Sequence, residues 1–233
     1  MDPRHLFMDE RLRGICAYCG AVPETRDHVP SKVLLDEPFP PQLPVVDACV
    51  KCNSSFSLDE QYLACFLDCV LAGTSEPARL QREKVKRILS ENPALEARVA
   101  ASRRNDDSAN LMWEPEADRV RRVVLKLARG HMAYELYPRL DEPRELVAVP
   151  LSSLSEVERT AFEDLSVADT GLWPELGSRA FLRAFGKKPD KFEQGDGWIV
   201  VQPGRYRYAV CEAGGPLVRV VVSEYLACQV VWE

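Results

Sequence analysis

Apolar positions divide the chain into stretches of different period. Between residues 14 and 56 no period is sustained, and Pro23, Pro30, Pro38, Pro40, Pro41 and Pro44 exclude a long helix or a central strand. One short strand is expected at 43–47, within loops and turns. From 57 to 71, Leu58, Tyr62, Cys65, Phe66 and Cys69 recur at helical spacing, and Gly73 ends the helix. A second helical segment spans 77–102, broken at Asn92-Pro93 because the residue before a proline is biased away from the helical region. Residues 103–110 are polar and read as a linker.

Beyond that linker, 116–136 is expected to be a helix with Val120, Val123, Val124, Leu127 and Met132 on a shared face. Ser155-Glu156-Val157-Glu158 matches a capping box ahead of another short helix. The last third changes period. Runs at 197–202, 205–212 and 217–224 are rich in β-branched residues and divided by Pro203-Gly204 and Ala213-Gly214-Gly215-Pro216, the signals of hairpins in a small antiparallel sheet. The expected class is α+β: an N-terminal unit over 1–75, a basic helical connector over 76–110, and helices with a small sheet over 111–233.

With 233 residues, 46% hydrophobic and 28% charged, the chain can bury one large core or two small ones, which excludes a disordered tail. Met1-Asp2-Pro3-Arg4-His5 is polar and no apolar run precedes Arg11 and Arg13, so no secretory signal is expected and the reducing cytoplasm is the expected location. The apolar stretches at 62–72 and 217–222 fall short of the ~20 residues of a membrane helix, so no membrane partner is expected.

Eight cysteines change the picture. In a reducing compartment grouped cysteines read first as metal ligands and isolated ones as small apolar groups. Cys16-Ala17-Tyr18-Cys19 and Cys49-Val50-Lys51-Cys52 are two CxxC knuckles, whose four thiolates suit a closed tetrahedral zinc site. A closed site is structural, so the N-terminal unit is expected to be zinc-stapled in place of a large core. Cys65, Cys69, Cys211 and Cys228 stand in apolar segments and are expected to be packed in the core. Asp27-His28 lies between the knuckles and Asn53 directly follows the second. Carboxylate and amide oxygens are hard ligands that suit Mg2+, so a second metal site beside the sulfurs is chemically coherent. His28 would be its neighbouring base.

These residues carry a resemblance. Cys16-x-x-Cys19, Asp27-His28-Val29-Pro30-Ser31-Lys32 and Cys49-x-x-Cys52-Asn53-Ser54-Ser55 are similar to the HNH endonucleases, also called ββα-metal or His-Me finger nucleases, of the zinc-knuckle type that includes phage endonuclease VII. The resemblance covers about residues 14–65. It implies a ββα-metal unit that hydrolyses DNA phosphodiesters, with His28 as general base, Mg2+ or Mn2+ held by Asp27 and Asn53, and zinc held by the four cysteines. Lys32, Lys51 and Ser54 are the candidate phosphate contacts. Pro44 stands where the family carries its middle Asn, which tethers the loop bearing the histidine, so orientation of His28 falls to other groups such as backbone carbonyls.

Charge keeps a second reading open. Net charge is -6, and residues 1–60 hold six Lys or Arg against ten Asp or Glu. The basic residues lie at 79–104 and at Arg119, Arg121, Arg122, Lys126 and Arg129, where they either grip a phosphate backbone or form ordinary solvated helix faces. The alternative to a nuclease is therefore a catalytically decayed, zinc-stabilised module that binds DNA or protein. One site per chain cuts one strand at a time, so duplex cleavage requires a homodimer or sequential events. His5 belongs to a frayed terminus, His131 to packing or a helix surface, and Asp59 and Glu60 to a solvated helix face or a metal's outer shell.

Overall fold

A computed structural model describes residues 14–41, 43–105, 111–165, 197–211 and 215–233. His5, the polar N-terminus, positions 106–110 of the expected linker and the turn residues Ala213-Gly214 lie outside the described residues. The chain is mixed α+β, and its contacts form two compact units, Met1–Ser54 with Val124–Glu233, and Ser55–Val123. The expected boundaries at 75 and 110 divide it differently, because the first unit is built from two separated stretches of sequence.

The first unit opens with strand β1, Thr25–His28, and strand β2, Val45–Ala48, paired antiparallel from Thr25 opposite Ala48 to His28 opposite Val45. The expected short strand is thus present. The prolines between the strands sit in the connection, where missing N–H groups cost no ladder bond. Helix α1, Val50–Ser55, starts directly after Cys49.

In the second unit, helix α2 spans Ser57–Ala72 and ends at Gly73, whose left-handed φ of 66° lets its N–H reach the carbonyls of Cys69 and Val70. The helix is buried almost all round from Asp59 to Cys69, while Leu58 is 67% exposed. It is therefore the centre of its unit and not a surface helix with one apolar stripe. Burying its carboxylates requires partners. Arg119 Nη1 and Arg122 Nε each donate to Asp59 at 2.7 Å, and Arg82 lies 3.6 Å from Asp68. The expectation of a solvated or metal-linked Asp59 is corrected: it is a buried ion-pair partner.

The expected long helical segment is two helices, α3 over Glu83–Glu91 and α4 over Pro93–Ala101. Asn92 makes the break and caps α4, its side chain accepting from Leu95 N–H at 3.0 Å. Strands β3, Arg103–Asn105, and β4, Leu111–Trp113, pair antiparallel where a linker was expected. Three residues per strand are too few to show a period.

Helix α5 runs Ala117–Glu135, close to the expected limits, and buries Val120, Val123, Val124, Leu127 and Met132. From Val124 onward it belongs to the first unit. His131 is fully buried, its Nε2 2.8 Å from Tyr206 Oη and its ring stacked 3.6 Å from that of Tyr208, so packing is its role. Tyr208 donates to Glu135 Oε1 at 2.5 Å. Strand β5, Glu145–Pro150, and helix α6, Glu156–Glu163, follow, and Ser155 and Glu158 make both bonds of the capping box. Strands β6, Ile199–Gln202, β7, Tyr206–Cys211, β8, Leu217–Val222, and β9, Leu226–Val231, complete an antiparallel sheet of order β5-β9-β8-β7-β6.

Strand β5 lacks a sequence signal, whereas Cys228 is expected on a strand and lies in β9. Strand β5 ends in Pro150 and is an edge strand, where proline is tolerated. Strand β9 follows a turn with no glycine, in which Ser223 and Glu224 themselves take positive φ of 57° and 47°. The face against α6 is packed by Leu151, Phe162, Trp198, Ala209, Val221 and Ala227.

Gly130 shows how α5 meets the β1–β2 hairpin. A Cβ there would lie 2.6 Å from Val29 Cγ2 and 2.9 Å from Val29 Cγ1, and Val29 is fully buried directly after His28. A mid-helix glycine costs about 1 kcal/mol relative to alanine, so close approach is its compensation. Gly130→Ala is expected to destabilise by about 1–3 kcal/mol, since overpacking outweighs the helix-propensity gain. Urea denaturation reads the change, and a stabilised variant would contradict this packing.

Candidate metal centre and the Asp27–His28 site

The two knuckles meet because the hairpin returns the chain to its start. Ala17 N–H donates to Asp47 O at 2.9 Å, and Cys16 N–H to Ala21 O at 2.7 Å closes the first knuckle. The second knuckle leads into α1, where Asn53 N–H donates to Cys49 O and Cys52 N–H reaches Cys49 Sγ at 3.4 Å. The ligand atoms of Cys16, Cys19, Cys49 and Cys52 all lie within 4.8 Å of one another, and Cys19 Sγ is 3.8 Å from Cys49 Sγ.

A tetrahedron with Zn–S bonds of about 2.3 Å has S···S edges of about 3.8 Å. The cluster therefore fits such an ion and can hold a structural metal such as zinc. Without one, the sulfurs cannot all ionise together. The Cys52 N–H bond lowers the Cys49 thiol to about 7, whereas burial and the other sulfurs push the Cys52 thiol up. A cation relieves that conflict. Cys65, Cys69 and Cys228 are buried thiols pushed up to about 12 by burial, and burial also raises the half-buried Cys211. They behave as apolar core groups.

Asp27 and His28 occupy the last two positions of β1. Successive side chains of a strand leave opposite faces. Asp27 is buried against α5, where Lys126 Nζ lies 2.7 Å from Oδ2 and the Tyr18 hydroxyl donates to the same oxygen at 2.8 Å. Tyr18 stands inside the first knuckle, so the cysteine cluster and the carboxylate are joined by one side chain. His28 is half-buried. Burial, and secondarily the positive charge of Lys32, lower its pKa, partly offset by Asp27, and this favours the neutral imidazole. Its Nδ1 is buried and has no hydrogen-bond partner among the described residues.

Pro44 bonds the residue after the histidine through its carbonyl, and among the described residues no backbone carbonyl holds His28 Nδ1. Val29 N–H donates to Pro44 O at 2.9 Å, directly after His28. Asn53 reaches β1 from α1, its Nδ2 donating to Thr25 Oγ1 at 3.1 Å and to Arg26 O at 3.3 Å. These bonds use the amide nitrogen. Asp27 keeps Oδ1 outside its bonds to Lys126 and Tyr18. Among the described residues, the four cysteines are the only His, Cys, Asp or Glu group of three or more whose ligand atoms converge enough to hold a metal ion.

The candidate phosphate contacts are less concentrated. Lys32 and Lys51 are exposed, with Lys32 Nζ 5.5 Å from the Phe39 ring centroid, and the Ser54 hydroxyl donates back to Val50 O at 2.8 Å. Much of the basic surplus is already paired, as Arg119 and Arg122 with Asp59, Arg98 with Glu116, Arg104 with Glu114 and Arg129 with Glu142 show. Lys126 is buried, while Arg121 remains exposed. No described helix is long and apolar enough to cross a membrane.

Lys126 and Tyr18 are the participants that sequence reasoning did not assign to Asp27. Spacing gives no cue, since Lys126 lies nearly a hundred residues away on another element. A lysine amid the apolar positions Val123, Val124 and Leu127 is the one available signal, because a buried charge needs a partner. No family model, no curated protein and no solved structure matches this chain.

Proposed function

We propose that the cysteine-stapled hairpin is a DNA phosphodiesterase site of the HNH endonuclease type, with His28 as general base. One observation carries this reading: a half-buried histidine ends β1, between two knuckles whose sulfurs converge, with Asn53 bonded to the same strand. His28 takes the proton of an attacking water, whose oxygen adds to phosphorus as the leaving oxygen departs. Asp27 and Asn53 would hold Mg2+ or Mn2+, which when bound supplies charge stabilisation for the developing oxyanions. Lys32, Lys51 and Ser54 would position the phosphate, and the four cysteines would hold zinc as a fold-stabilising ion.

The Asp27–Lys126 ion pair favours a second reading, a zinc-stabilised DNA- or protein-binding module whose hydrolytic site has decayed. Incubation of the full chain with plasmid DNA and Mg2+ or Mn2+, beside His28→Ala, separates the two. The nuclease reading expects cleavage that falls by at least ~10²-fold on losing the base. Equal background in both proteins would overturn it and leave the binding module.

A further inference from the structure

We infer that Arg26 is a substrate-contact residue of the His28 site, whose guanidinium leaves Asp47 to hold a phosphodiester of the nucleic acid beside the imidazole. The inference deepens the nuclease reading and rests on it for the chemistry, though not for the anion binding. The β1–β2 hairpin has two unlike faces. Asp27, Val46 and Ala48 are buried on one. Arg26 and Asp47, directly opposite each other in the ladder, share the other with His28 and Val45, and none of these four is fully buried. Arg26 and His28 lie two residues apart on one strand, about 7 Å along it. Guanidinium and imidazole therefore start from adjacent positions of the same face.

The ion pair that Arg26 makes is loose. Its Nε lies 4.0 Å from Asp47 Oδ1, and the two side chains are 57% and 38% exposed. Exposed pairs at that separation hold little, because water screens both partners and two flexible side chains lose freedom. The backbone beneath them is fixed instead: Asn53 Nδ2 donates to Arg26 O at 3.3 Å, and Ala17 N–H donates to Asp47 O at 2.9 Å. An anchored main chain with a releasable head group suits an anion contact, since the planar fork of an arginine takes two phosphate oxygens at once. Arginines of the second unit contrast with it, because Arg119 Nη1 and Arg122 Nε sit 2.7 Å from the buried Asp59. Among the described residues Asp47 is the one side-chain partner of Arg26. Its carboxylate stands in for the phosphate and competes with it for the guanidinium.

The test uses the full chain with its cysteine site loaded with zinc and a short fluorescently labelled DNA duplex, followed by anisotropy over a range of KCl without added Mg2+ or Mn2+. Arg26→Gln is expected to bind about tenfold more weakly, the scale of one charge-assisted hydrogen bond. The slope of log affinity against log salt should fall by about 1, for one phosphate contact fewer. Arg26→Lys keeps the charge and is expected to restore the slope. Asp47→Asn removes the competitor, keeps the carbonyl that Ala17 uses, and is expected to tighten binding about threefold, the scale of an exposed ion pair. That gain should vanish in the Arg26→Gln background. A merely structural role for Arg26 would move neither the slope nor this coupling.

Unchanged affinity and slope in Arg26→Gln would overturn the inference, as would a slope that Arg26→Lys does not restore, or a wild type that does not bind the duplex. Unchanged binding in Asp47→Asn, or a gain that persists in the double variant, would overturn it too. Both side chains are solvent-exposed, so the variants are expected to fold, which thermal melts check. Plasmid cleavage with Mg2+ or Mn2+ is read separately. Absent cleavage by wild type with the binding results intact removes the hydrolase reading alone. Cleavage that depends on His28 while Arg26→Gln keeps wild-type affinity and slope removes this inference alone.

Discussion

Cys49→Ser, or removal of metal by a chelator, is expected to unfold the region around the two knuckles and to cost on the order of 10 kcal/mol where zinc is bound, the scale of structural zinc sites. The reason lies in how little else holds this part of the chain. The β1–β2 hairpin has four residues per strand, α1 has six, and the connection between the strands is rich in proline. A two-stranded ribbon of that size is marginal alone. The four sulfurs gather both knuckles at one point, so a metal there couples the start of the hairpin to its end. Elemental analysis should return one equivalent of zinc, and circular dichroism with limited proteolysis should report the loss of structure. Metal content far below one equivalent, or a Cys49→Ser protein as stable as wild type, would contradict the assignment.

Asp27→Ala is expected to destabilise the fold by about 3 kcal/mol, because it removes the carboxylate from a buried ion pair and leaves the ammonium buried without that counter-charge. The Asp27 side chain is 10% exposed and that of Lys126 1%, so the pair is shielded from solvent. The Tyr18 hydroxyl loses its acceptor in the same step. Replacing both charges, Asp27→Ala with Lys126→Met, should recover most of the loss, since a buried pair exchanged for apolar groups is often near neutral. Urea denaturation of the two single variants and the double variant gives the coupling energy. An Asp27→Ala protein within 1 kcal/mol of wild type would show that the pair does not hold the hairpin to α5.

Several elements were readable because their causes are local. The stop at Gly73 follows from its tolerance of positive φ, the break at Asn92-Pro93 from proline sterics, and the start of α6 from the reciprocal bonds of Ser155 and Glu158. The pairing of four cysteines into a cluster was readable because two CxxC spacings in one stretch have few other uses. Elements whose cause lies elsewhere in the chain were not. Strands β3 and β4 are too short to show alternation, and β5 exists because its neighbour β9 supplies its ladder. Leu58 fits the helical period of α2 yet is exposed, while Asp59 and Asp68 are buried because arginines reach them.

By itself the sequence determined the local grammar: the α+β class, most helix limits, the knuckles, and the presence of an aspartate, a histidine and an asparagine around them. Only the tertiary structure decided the state of those groups. It turned Asp27 toward Lys126 and Tyr18, lowered the pKa of His28 by burial, and brought Gly130 against Val29. The division has a physical reason. Turns, caps and ligand spacings depend on a few adjacent residues, whereas the charge and solvation of a side chain depend on every element packed against it, whatever its distance along the chain.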